Sequence, residues 1–142
     1  MHAISLKQPW ATLLVHAIKT IEVRKWSTKR RGPVLIHASA HPDERVEAWS
    51  HVPDHLLEHA STLRGGIVGA GEIVSCRIYR DRDQFAEDQE AHRNELEWFE
   101  KPPLYGFVLK KLRVLPFQRC SGWMRFFPIP EDILDALPLN DD

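Results

Sequence analysis

The chain has 142 residues, 43% hydrophobic and 27% charged, an ordinary balance for one globular domain able to enclose a continuous core. No apolar run approaches the roughly 20 residues of a membrane span, and the opening MHAISLKQPW lacks a signal-peptide core, so no membrane partner and a cytoplasmic location are expected. Net charge is −1, which taken alone argues against a nucleic-acid partner.

The distribution of charge argues the other way. Residues 1–40 hold seven basic side chains (Lys7, Lys19, Arg24, Lys25, Lys29, Arg30 and Arg31) and one acid, Glu22. Residues 101–125 hold six basic residues and no acid, whereas 81–100 hold eight acids against Arg82 and Arg93. Segregation of this kind can give a nearly neutral protein a local positive face, and phosphates respond to the local field. The two cysteines, Cys76 and Cys120, are far apart and in no metal-binding spacing, so both are expected to be reduced.

In chain order, Met1–Ser5 predicts a short strand. Pro9 suits a first helical turn, and Trp10, Leu13, Leu14 and Ala17 follow at helical spacing. Thr20–Arg24 alternates strictly, with Ile21 and Val23 on one face and Thr20, Glu22 and Arg24 on the other: a half-buried strand with a polar side. A basic loop leads to Gly32-Pro33, and Val34–Ala38 reads as a strand inside a sheet. Residues 42–61 are polar and helical in pattern, broken near Pro53. Ile67–Tyr79 reads as a long strand in which Gly69 and Gly71 invite a bulge. Asp83–Phe99 is amphipathic and helical up to Pro102-Pro103. Leu104–Leu115 alternates again, with a split near Lys110, and Glu131–Leu137 predicts a last short helix. No repeat, low-complexity tract or linker divides the chain, so 1–142 is expected to form one domain of the α+β class around a small curved sheet.

Three blocks together carry a resemblance. Ser5-Leu6-Lys7-Gln8-Pro9-Trp10-Ala11, Lys19-Thr20-Ile21-Glu22-Val23-Arg24 and Arg31-Gly32-Pro33-Val34-Leu35-Ile36-His37-Ala38-Ser39 resemble the ASCH domain of the PUA-like superfamily. Gly66-Ile67-Val68-Gly69 and Tyr105-Gly106-Phe107-Val108-Leu109 fit the strands of the same family, and the likeness is strongest over 4–110. The resemblance implies a PUA-like β-barrel of about five to six mostly antiparallel strands, flanked by short helices, with a basic groove beside the first helix. It also implies nucleic-acid binding or, in some members, ribonuclease activity or amide hydrolysis of acetylated cytidine. No cofactor is implied.

Within that frame Lys19, Glu22 and Arg24 are the central cluster. A lysine beside an arginine loses proton affinity, and partial burial adds to the loss, so Lys19 could act as a base or nucleophile near neutral pH with Glu22 as its partner. By spacing alone Glu22 and Arg24 are an ordinary surface ion pair; the resemblance places them in the site. Amidohydrolase members are expected to use a lysine, a threonine three positions later and a distant glutamate. Lys19 matches the first, but Glu22 occupies the threonine position, and Glu87, Glu90 and Glu95 are all open as the third. A carboxylate cannot replace a hydroxyl without changing the chemistry.

His37, closing its strand, is a candidate hydrogen-bonding or proton-transfer group. Trp10, Trp26, Tyr105 and Trp123 lie near basic segments and could stack on bases, with Trp26 the exposed candidate and Trp10 partly core. Lys25, Lys29, Arg30 and Arg31 would then meet phosphates. His55-Leu56-Leu57-Glu58-His59 matches the inverted zincin pattern, but Pro53 interrupts the register, no third ligand is identifiable, and no metal site is expected. The expected function is binding of RNA, another single-stranded nucleic acid or a modified nucleoside in the basic groove. The alternative is a hydrolase using the same groove, with Lys19 and Glu22 catalytic. A third reading makes the acidic 81–100 segment a protein-docking surface.

Overall fold

A computed structural model of the chain describes residues 1–139. Six strands form one sheet: β1 (His2–Leu6), β2 (Ile21–Arg24), β3 (Gly32–Ala38), β4 (Gly66–Tyr79), β5 (Leu104–Arg119) and β6 (Phe126–Pro128). Their order is β2-β5-β4-β3-β1-β6. Every neighbouring pair is antiparallel except β1 and β3, which run parallel with Ser5 opposite His37.

The expected barrel is corrected here: the sheet is open, with β2 and β6 as its edges. Both edge strands are short, β2 of 4 residues and β6 of 3, and no ladder pairs them. Side chains bridge the gap instead. Trp26, just past β2, packs edge-on against Phe126 of β6 at 5.6 Å, and Phe107 of β5 stacks on the same ring at 6.0 Å. The Arg24 guanidinium donates across the gap to the Ser5 carbonyl at 2.7 Å. The sheet is therefore strongly curled around a side-chain core.

Bulges supply the curl. The β4–β5 register shifts between Ile67 and Gly69, Ala70 and Glu72, and Ile73 and Ser75, while Lys111 in β5 takes a left-handed conformation (φ 53°). The first helix, α1 (Trp10–Val15), fills the hollow of the curl, and all six of its residues are buried. It approaches β4 at Gly69, where any Cβ would fall on Val15 and on the Arg113 carbonyl. Pro9 is its N-cap rather than a first-turn residue, and the buried Gln8 supplies the cap by accepting from the Thr12 amide at 3.0 Å.

Residues 42–61 break as expected, into α2 (Val46–Trp49), a 3₁₀ turn at Asp54–Leu56 and α3 (Leu57–Thr62). The helix expected over 83–99 is not continuous. It divides into α4 (Arg82–Glu87), α5 (Gln89–His92) and a 3₁₀ turn at Leu96–Trp98: Asp88 caps the end of α4, and Arg93, with φ 63°, ends α5. That break lets His92 turn inward and stack on Phe85 at 4.2 Å. β5 runs on to Arg119, and β6 has no counterpart in the sequence reading. The last helix, α6 (Glu131–Asp135), lies within the segment expected. No helix among the described residues is long and apolar enough to cross a membrane.

Candidate functional site

The turn after α1 delivers Lys19 to the interior. Ile18 and Lys19 both donate their amides to the Leu13 carbonyl, and Ala17 bends the chain with φ 58°. The Lys19 side chain is only 1% exposed. Its ammonium donates to the His92 carbonyl at 2.9 Å, contacts Glu22 Oε1 at 3.2 Å and lies 4.9 Å from the centre of the Trp10 ring. The other Glu22 oxygen accepts from Arg24 Nε at 2.8 Å. One carboxylate thus bridges two cations along the polar face of β2.

Burial pushes the Lys19 pKa down and Arg24 adds to the lowering, while Glu22 opposes it. For Glu22, burial works to raise the pKa, but Lys19 and Arg24 outweigh it and hold the carboxyl below its usual range.

These groups share a cavity of about 340 Å³ with Trp10, Lys7 and Arg45. Lys7, Lys19, Arg24 and Arg45 face it against two carboxylates, Glu22 and Asp43, so the hollow is net positive. Asp43 is a structural hub. It accepts from Trp10 Nε1 at 2.8 Å and from Arg45 Nη2 at 2.7 Å, and its carbonyl accepts from Trp49 Nε1 at 2.6 Å. Burial tends to raise its pKa, yet the bonds from Arg45 and Trp10 hold it at about 2. Arg45 lies 3.6 Å over the Trp98 ring, a flat cationic wall.

The His92 ring is fully buried; Nε2 donates to the Phe85 carbonyl at 2.8 Å and Nδ1 accepts from the Asn94 amide at 3.0 Å. Burial lowers its pKa to about 4, and the Lys19 charge adds to that, so the ring is neutral. Its carbonyl is thereby fixed as the anchor for Lys19.

The remaining candidates are spread out. His37 is buried beside a different hollow; Ser5 Oγ lies 2.9 Å from Nδ1, and Nε2 donates to the Cys120 carbonyl at 2.7 Å. Trp10 forms part of the core at 8% exposure. Trp26, expected at the surface, is half-buried against Phe107 and Phe126 with Arg125 over its face at 4.8 Å. Tyr105 lies opposite Arg24 in the β2–β5 ladder and packs on the core.

Lys29, Arg30 and Arg31 are exposed on the loop between β2 and β3 and line neither hollow; Arg30 lies 5.0 Å over Phe126. None of Glu87, Glu90 and Glu95 lines the Lys19 hollow. The acidic segment contributes Asn94 instead. His55 belongs to the 3₁₀ turn and Glu58 and His59 to α3, all exposed, and His59 faces His16 at 6.5 Å. Among the described residues no group of three or more His, Cys, Asp or Glu is placed to hold a metal ion, and Cys76 and Cys120 are unpaired.

Ser5, Asp43, Arg45 and Asn94 join the site without having been candidates. Ser5 and Lys7 stood inside the first resembling block; Asp43, Arg45 and Asn94 carry no periodicity or spacing that could have marked them.

A curled, open α+β sheet whose first helix walls a net-positive hollow is the architecture that these residues build. The ASCH domain family model matches residues 4–116, and the chain belongs to that family, which is associated with RNA binding. Over 92 residues the chain is 51% identical to human (Homo sapiens) activating signal cointegrator 1 and 27% identical to its mouse (Mus musculus) counterpart. Each match covers 59% of this chain but only 16% of the relative's length. The crystal structure of ASCH from Zymomonas mobilis superposes with a TM-score of 0.63 at 14% identity, covering 94% of this chain and 90% of that one. A tyrosine-to-phenylalanine variant of that protein gives 0.66 at 11% identity, covering 95% and 94%. At such identities the likeness concerns the fold.

Proposed function

We propose that the chain binds single-stranded RNA, with one nucleotide held in the Lys19 hollow. The observation that carries this reading is that Lys19 and Arg24 open into one cavity together with Lys7 and Arg45. Inside it both carboxylates are already engaged by cations, Glu22 by Lys19 and Arg24 and Asp43 by Arg45, so the residual field favours an anion. The Arg45 guanidinium, laid on Trp98, offers a flat surface to a base or sugar, and the rim of Trp10 adds an apolar edge. The cavity volume of about 340 Å³ falls in the range of small-ligand sites.

Anisotropy titration of a labelled single-stranded RNA tests the reading. Arg24→Ala is expected to weaken binding about 10-fold or more, the cost of a lost charge-assisted contact. Failure of the wild-type protein to bind RNA at low salt overturns it.

A second reading, hydrolysis of acetylated cytidine or of RNA, is favoured by one observation, the buried Lys19 with its lowered pKa next to Glu22. Against it, that ammonium is held between a carboxylate and a backbone carbonyl, which stabilises its charged, non-nucleophilic form. Incubation with acetylcytidine and with RNA, beside a Lys19→Met variant, decides: product formed by wild type and lost in the variant establishes the hydrolase.

A further inference from the structure

A second hollow, of about 630 Å³, adjoins the first: Ser5 and Ser39 line both. Its composition differs. Among the described residues its lining contains no acid, one cation (Arg119) and two large apolar side chains left in water, Trp123 at 73% and Met124 at 75% exposure. Its floor is the Ser5–His37 pair. Because His37 Nε2 must donate to the Cys120 carbonyl, Nδ1 is the acceptor and the Ser5 hydroxyl the donor, and burial keeps the ring below its usual pKa. The floor is thus neutral and internally satisfied.

Trp123 is not on a loose loop. On one side the Cys120 amide donates to the Gly65 carbonyl at 3.1 Å, and Gly122 presses so close to His37 that a Cβ there would lie 2.6 Å from Cε1. On the other side Arg125 is laid over Trp26. The indole therefore stands on a segment pinned at both ends, and little ordering remains to be done when a ring stacks on it.

Resting on the RNA-binding reading, we infer that this hollow is a subsite for the base of a second, adjacent nucleotide, stacked on Trp123, with Arg119 meeting its phosphate. Continuity through Ser5 and Ser39 then makes the ligand a single strand of at least two linked nucleotides, rather than a free nucleoside. Arg119 at the rim, with no carboxylate among the described lining residues, fits a polyanion, and an exposed indole is the group on which any base can stack.

Calorimetric titration with a mononucleotide and with di- and tetranucleotide RNAs provides the test. The dinucleotide is expected to bind more tightly than the mononucleotide. Trp123→Ala should weaken the dinucleotide by about 5- to 150-fold, the range for loss of one base stack, and leave the mononucleotide unchanged, whereas Trp123→Phe should retain most of the affinity. Arg24→Ala, acting in the first hollow, should weaken both ligands. Equal affinity for the two lengths, or no effect of Trp123→Ala on the dinucleotide, overturns the second subsite and leaves the Lys19 site standing. Absence of binding to every RNA overturns both.

Discussion

Lys19 shows how a single buried charge organises this site. Its ammonium would be costly to enclose alone, and it is tolerated because Glu22, the His92 carbonyl and the Trp10 face surround it. The carbonyl that receives it is held by a histidine whose own ring is tied at both nitrogens. That arrangement predicts a pH dependence. In the folded chain His92 resists protonation until about pH 4, whereas unfolded it takes a proton near its ordinary value of 6.5. Unfolding therefore gains a proton between these values, so the stabilisation is complete above about pH 6.5 and is lost as pH falls toward 4, by at most about 3 kcal/mol. His37, also lowered by burial, acts in the same direction. Asp43 follows at lower pH: its contribution is full above 3.8 and disappears as pH falls to about 2. Urea denaturation midpoints measured from pH 7.5 to 3.5 should decline, and His92→Gln should make the decline between 6.5 and 4 shallower. An unchanged slope in that variant would mean that His92 is protonated in the folded protein.

At the level of elements, the position of α1 decides whether the hollow exists. The helix is buried along its whole length, and it can come close to β4 only because residue 69 has no side chain. Gly69→Ala would set a methyl group 2.8 Å from Val15 Cβ. Overpacking of this kind costs about 1–3 kcal/mol, so a lower melting temperature is expected. Since Lys19 follows α1 directly, a shifted helix should also weaken RNA binding beyond what lost stability explains. Full affinity in a folded Gly69→Ala protein would show that the hollow tolerates displacement of its helix.

On the scale of the whole molecule, basic side chains stand both in the first hollow and on the exposed loop carrying Lys29, Arg30 and Arg31. If ~4 phosphates are met in total, the log–log dependence of RNA affinity on salt should have a slope of about −3 for a single strand, and each contact removed should make it shallower by about 0.7. Replacing Lys29, Arg30 and Arg31 by alanine and repeating the titration over a range of salt measures the loop's share. A slope identical to wild type would place the phosphate contacts away from this loop.

Much of this architecture could be read along the chain. Alternation in Thr20–Arg24 marks β2 and places Glu22 and Arg24 on one face, and the paired glycines after Gly66 foretell the irregular β4. These features are local, because strand periodicity and glycine permissiveness act over neighbouring residues. Other features were decided by contacts between distant segments. Trp26 has basic neighbours in sequence, yet Phe107 and Phe126 draw its ring inward. The amphipathic pattern of 83–99 does not reveal that Arg93 turns left-handed so that His92 can pack on Phe85. Asp43, Arg45 and Asn94 reach Lys19 only through the curl of the sheet. The sequence by itself determined five of the six strands, the family and the polar face of β2, since each rests on short-range pattern. Only the tertiary structure decided which charges share a cavity and that the sheet stays open, since both depend on contacts between segments far apart in the sequence.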